Sequence, residues 1–366
     1  FLIVIKLYGI ELDSEINDNL VSFVWTLSVL IMIIGSQNNL ILDLEIIPIG
    51  VALNTVALLA VIMNHLLTVA NRTKNLALPG WLILIALLSN PVLSIVSIAS
   101  GAVNDNVGQW MTYHLFGGTF FFLGVAGVAL YSSSIVSGNP LWSKTLVGVT
   151  LFGSIFTINP FGDINGQMVI DVFGPLAESN VVSFTNEDML SASFLMALVS
   201  IPILAFSSNM LVTMRGSDMF VDDPNSSGNA ELNLGSWLII PIAIGSLFIQ
   251  TDAVSGTNEL TGISNSLSMM SGWLVLVPLS LGAALSLYPE LVGRHLLSQT
   301  RARWGFWMMA GGAMFGISIT MIADFMDMAL AELLIEDPSA LSEELRKVGS
   351  VMFYGVVIGS MLHSLN

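Results

Sequence analysis

Ten apolar windows succeed one another along the chain, at about 20–35, 45–69, 79–100, 109–135, 141–159, 189–213, 235–250, 264–288, 304–330 and 348–365. A helix needs roughly 20 apolar residues to cross about 30 Å of hydrocarbon. Windows of this length and number leave little alternative to a polytopic membrane helix bundle, because lipid offers no partner for an exposed backbone amide. Composition agrees: 54% of the 366 residues are hydrophobic and only 10% are charged. A soluble chain carries about a quarter charged residues. The expected fold is therefore all-α, a single transmembrane domain over 1–366 with about ten crossings. Phe1 to Ile10 reads as the tail of a further helix. The chain opens at Phe1 without an initiator Met or a basic n-region, so the expectation is a processed or incomplete N-terminus.

Between the windows lie two longer polar stretches, Pro160 to Asp188 and Gly216 to Gly235, both read as hydrophilic loops. Basic residues orient the bundle. With the loop before the first window cytoplasmic, Lys6, Arg72, Lys74, Lys144, Arg215, Arg294, Arg301 and Arg303 share one side, and only Arg346 and Lys347 fall on the other. This places loops 136–144, 214–234 and 289–303 together with the C-terminus on the cytoplasmic side, in a prokaryotic plasma (inner) membrane. The net charge of −16 lies largely opposite, on Asp163, Asp171, Glu178, Glu187 and Asp188 and on Glu332, Glu336, Asp337, Glu343 and Glu344. Such a surface excludes nucleic acid as a partner. It reads as a solvated acidic rim or as a docking face for a basic peripheral domain or a c-type cytochrome.

Metal chemistry finds few ligands. The chain has no Cys, which removes thiolate and iron–sulfur sites. Its four histidines, His65, His114, His295 and His363, form no i, i+4 pair and no adjacent pair. His65 and His114 lie within apolar windows, where an ionisable group is costly unless paired or wetted. They are candidates for a polar intramembrane site with Asp324 and Asp327, the two acids near the same-side end of the 304–330 window. Asn54, Asn64 and His65 add to a polar path that a transporter would use. No nucleophile elbow, phosphate loop or dinucleotide fingerprint stands in a usable setting.

The stretch Tyr288-Pro289-Glu290-Leu291-Val292-Gly293-Arg294, followed by Leu296-Leu297-Ser298 and Trp304-Gly305-Phe306-Trp307, resembles the connection between two late helices of haem–copper oxidase subunit I, in the C-type oxidase and nitric oxide reductase branch. Gly305 stands where that pattern has a His. Val107-Gly108-Gln109-Trp110 with Tyr113, His114, Gly117, Gly127 and Tyr131 is similar to the family helix that brings the first copper-site histidine, with His114 in that place. Ser191 to Gly216, with Pro202, Asn209 and Met210, and Val348 to Asn366 resemble two further family helices. The likeness covers roughly 105–366 and leaves 1–104 poorly placed.

The resemblance also implies what is missing. The family's haem-ligating histidines would fall at Leu267 and Met269, and its adjacent copper-site pair within Thr157 to Gly166, which reads TINPFGDING. His114 is then a lone remnant, and the early helix with the remaining haem ligand would precede Phe1. The expectation is a degenerate member that binds no haem and no copper and has no catalytic residue of its own. It would serve as a non-catalytic subunit among other membrane subunits of an oxidase-type complex and lipids. An independent transporter or ion-conducting protein is the alternative, and an active oxidase subunit completed by ligands from another chain is a third.

Overall fold

A computed structural model describes residues 15–37, 40–41, 44–73, 75–102, 116–156, 200–220, 227–250, 266–267, 269–332 and 340–366. Ten helices stand where the apolar windows predict them: α1 (Glu15–Gln37), α2 (Ile46–Ala70), α3 (Leu78–Ala102), α4 (Leu123–Ser137), α5 (Lys144–Phe156), α6 (Ser200–Thr213), α7 (Asn229–Gln250), α8 (Val277–Val292), α9 (Gln299–Glu332) and α10 (Ala340–Ser364). Both α4 and α8 are entered through π-helical turns, Phe116–Phe122 and Ser271–Leu276. Among the described residues, five segments are long and apolar enough to cross a membrane: Ala52–Ala70, Gly117–Ser137, Ser271–Pro289, Gln299–Asp327 and Ala340–Ser364. Shorter apolar helices run over Asn19–Gly35, Leu78–Leu93 and Ile201–Thr213.

Three boundaries differ from the sequence reading. α7 begins at Asn229, so Asn229 to Gly235 are helical, not loop. The 289–303 connection shrinks to 293–298, and the described residues of 331–347, namely 331–332 and 340–347, are all helical. The reason is common to all three: hydropathy marks the segment of a helix that lies in hydrocarbon, whereas backbone hydrogen bonding carries the helix onward into polar sequence. A two-residue antiparallel pair, Leu40–Ile41 with Leu44–Glu45, is the departure from helix between α1 and α2.

α4 lies at the centre and packs against α3, α6, α7 and α8. Its Leu123 and Leu130, together with Phe122, are fully buried and meet Phe206 and Met210 of α6, Leu232 of α7 and Leu279 of α8 in one continuous apolar core. Phe122 and Phe206 sit edge to face at 5.5 Å. Serines and threonines in this core return their hydroxyls to the carbonyl three or four residues back, as Ser133 does to Leu130 and Ser154 to Thr150. That local bond lets a hydroxyl reside in an apolar interior without a distant partner. Between helices, Ser207 donates to the Ser236 carbonyl at 2.6 Å and Thr119 to the Ser154 carbonyl at 3.1 Å.

Two helical hairpins flank this centre. α1 and α2 pack on each other around Val21, Ala57 and Val61 and touch the rest through α3. Among the described helices, α9 and α10 pack on each other most extensively. A Cβ on Gly312 would lie 2.8 Å from the Gly355 backbone, one on Gly316 2.9 Å from the Gly349 carbonyl, and one on Gly359 2.6 Å from the Gly305 carbonyl. Small residues here let two backbones touch, which is how helices associate where lipid supplies no hydrophobic drive. Large apolar side chains on the outer faces, such as Phe315, Phe325, Val351 and Met361, are exposed, as a lipid-facing wall requires.

One end of the bundle is tied together by polar contacts. Asn139 Nδ2 donates to the Thr213 carbonyl at 2.9 Å, and Asn209 bonds both the amide and the carbonyl of Ser143. Asn229 Nδ2 donates to the Asp218 carbonyl, and Gln299 to the Ser227 hydroxyl. Ser298 N–H donates to Asn366 Oδ1 at 2.8 Å, and Arg301 to the Leu365 carbonyl. Connections 138–143, 214–220 and 293–298 and the C-terminal residues thus share one end, the grouping that the basic residues predict.

Candidate functional site

At that shared end, the first turn of α7 carries Glu231 into the junction of α7, α9 and α10. The approach is set by Gly228, whose φ of +89° lies in the left-handed region and whose backbone abuts the Gly282 carbonyl, leaving no room for a Cβ. α7 can therefore start hard against α8, and Glu231 is pulled inward. Across from it, α10 delivers His363, with Nε2 3.7 Å from Glu231 Oε1. Both side chains are only 4% exposed. Neither imidazole nitrogen has a hydrogen-bond partner, and 3.7 Å is beyond hydrogen-bonding distance. Gly305 of α9 makes the seat for the ring: a Cβ there would stand 2.9 to 3.0 Å from three imidazole atoms.

Glu231 also lines a cleft with about 340 Å³ of empty space, its open mouth included. Met219, Phe220, Leu285 and Phe306 form apolar walls, and Gln299 and Arg303 bring polar groups. The Arg303 guanidinium lies over the Phe220 ring at 5.9 Å. Glu231 thus lines a partly open cleft, and His363 is buried beside it.

The opposite end holds a second charged cluster. Arg346 of α10 donates to Asp324 Oδ1 through Nε at 3.1 Å and through Nη2 at 2.9 Å, and also to Asp327. Ser266 Oγ approaches Asp324 Oδ2 at 3.5 Å. Lys347 pairs with Glu343 at 3.1 Å and Glu344 at 3.0 Å on the surface. The two basic residues that stand apart in the charge distribution are thus both paired with acids of α9 and α10.

Among the described residues, those singled out from sequence fall in separate places. Asp324 and Asp327 join through Arg346. His65 is buried in α2 beside Asn64 and Thr68, whose hydroxyl bonds the Asn64 carbonyl at 2.7 Å. α2 packs chiefly on α1, and α9 on α10, so His65 and the aspartates belong to different hairpins. His114 and Thr157 to Gly166 lie outside the described residues. Leu267 is 8% exposed and belongs to the main core beside Gly245, whereas Met269 is 43% exposed. Among the described residues, no three His, Asp or Glu side chains gather as a metal site would require.

Sequence reasoning missed Glu231 and His363. Hydropathy puts Glu231 in a loop, where an acid reads as solvated; the signal for it is Gly228-Asn229 followed by an acid in the first turn, a helix start. His363 lies three residues from the last residue and has no such local signal.

The long apolar helices and their packing define an integral membrane protein of the helix-bundle class. Comparison with known proteins yields no matching family model and no matching curated protein.

Proposed function

We propose that this chain is a non-catalytic, ligand-depleted subunit resembling haem–copper oxidase subunit I, working inside a respiratory electron-transport complex or supercomplex. The observation that carries the reading is at Leu267 and Met269, where the resemblance asks for haem-ligating imidazoles. Leu267 fills the core with hydrocarbon, and Met269 turns to the bundle surface. Gly305 supports it as well, since the place of the family's His is taken by the ring of His363 arriving from another helix. A fold can persist after its chemistry is lost, because packing and chemistry rest on different residues. Function then resides in the surface: a lipid-facing wall for neighbouring helices, and an acidic rim for a basic cytochrome or peripheral domain on the non-cytoplasmic side.

The experiment is extraction in mild detergent followed by native electrophoresis, mass spectrometry and a pyridine haemochrome assay. The chain is expected to co-migrate with redox subunits that account for all the haem in the band. The buried Glu231–His363 pair, with Glu231 lining a cleft, favours a second reading, an ion-conducting protein. A solitary, monodisperse protein that moves ions in liposomes would establish that reading and overturn the first.

A further inference from the structure

We propose that Glu231 and His363 form a proton-binding couple, loaded through the cleft between α7, α8 and α9. The carboxyl and the imidazole together carry −1 with no titratable proton, zero with one and +1 with two. Only the one-proton state buries no net charge, whether it is written as carboxylate and imidazolium or as carboxylic acid and imidazole. An isolated charge in so dry a place is costly, so the couple takes up one proton and resists both losing it and gaining another. The two groups titrate as one unit.

Among the described residues, no cation is bonded to either member of the pair. From α9, Arg303 lies in the cleft wall and Arg301 is bonded to the Leu365 carbonyl. From the segment after α6, Arg215 and Asp218 are exposed. From α8 the cleft receives Leu285, an apolar residue. Both imidazole nitrogens lack partners, and closing the 3.7 Å gap by under an ångström gives Nε2 a hydrogen bond to Oε1. Glu231 is the member that faces the cleft. Hydronium arriving there yields its proton to the carboxylate oxygen or onward to Nε2, forming one O–H or N–H bond and leaving water. Gly305 is a positioning residue, since only its missing side chain lets the ring lie beside Glu231.

The test is infrared difference spectroscopy of the full chain in proteoliposomes, titrated from about pH 3 to about pH 9, a range that brackets ordinary glutamate titration near about 4.3 and imidazole titration near about 6.5 and so exposes displaced values. A protonated-carboxyl stretch is expected in the wild type, shifted in heavy water and absent in Glu231→Gln. Gly305→Ala keeps both titrating groups but drives the ring away, and the band's midpoint is expected to move by about one pH unit, the size of shift that a lost neighbour produces. His363→Gln is expected to move it likewise, with thermal melts confirming that each variant is folded. A Glu231→Gln spectrum identical to wild type overturns the site. A band lost in Glu231→Gln whose midpoint is unmoved in both other variants makes Glu231 a lone carboxyl and overturns the couple.

Discussion

At the residue scale, the same kind of side chain plays two roles at the two ends of the bundle. Asp324 and Asp327 are held by a guanidinium whose planar fork accommodates both carboxylates, and Arg346 thereby ties α9 to α10. Glu231 has no such cation within bonding distance and faces an unpartnered imidazole instead. One cluster is a clamp and the other is poised to bind. Replacing Arg346 by Met leaves two carboxylates one helical turn apart without their cation. Arg346 is 40% exposed, so solvent and salt reduce the effect. Arg346→Met is expected to destabilise by about 1–2 kcal/mol, the scale of charged hydrogen bonds discounted for exposure, read as a lower melting temperature in detergent and a smaller dependence of melting on salt.

Among elements, the α9–α10 hairpin is held by contact between glycines, and adjacent positions separate contact from propensity. A Cβ on Gly312 would meet the Gly355 backbone at 2.8 Å, whereas one on Gly311 would meet nothing within 4 Å. Both substitutions gain the same helix propensity, about 0.5–1 kcal/mol for Gly to Ala. Gly312→Ala must push the backbones apart, at about 1–3 kcal/mol for overpacking. The expected result is a lowered melting temperature for Gly312→Ala and an unchanged or raised one for Gly311→Ala. Equal behaviour of the two variants would mean that the helices do not touch there.

Across the whole molecule, the connections at 138–143, 214–220 and 293–298 gather at one end with the C-terminal residues, and the Arg346 cluster lies at the other. Since the chain has no native Cys, single cysteines report sidedness without background. Trp142→Cys and His295→Cys, both at exposed positions, are expected to react with an impermeant reagent from the same side of sealed vesicles. Glu343→Cys, exposed on α10, is expected to react from the opposite side. Reaction of all three from one side would break the alternation on which the orientation rests.

Periodicity and hydropathy determined the elements. Ten windows became ten helices because a chain in lipid must satisfy its own backbone, and the helix is the local way of doing so. The grouping of connections was also legible, since alternation follows once the crossings are known and the basic residues mark one side. Helix ends were not legible where polar residues continue a helix, which is why Glu231 was placed in a loop. The candidate couple was invisible for a deeper reason. Glu231 and His363 are 132 positions apart in the numbering, and nothing in either neighbourhood encodes the other. What joins them is tertiary: Gly228 seats α7 against α8, Gly359 brings α10 onto α9, and Gly305 leaves the space in which the ring rests. A sequence states which residues are small. Only the packed structure decides what fills the room that they leave, because close contact between backbones depends on helices distant in sequence meeting at one crossing.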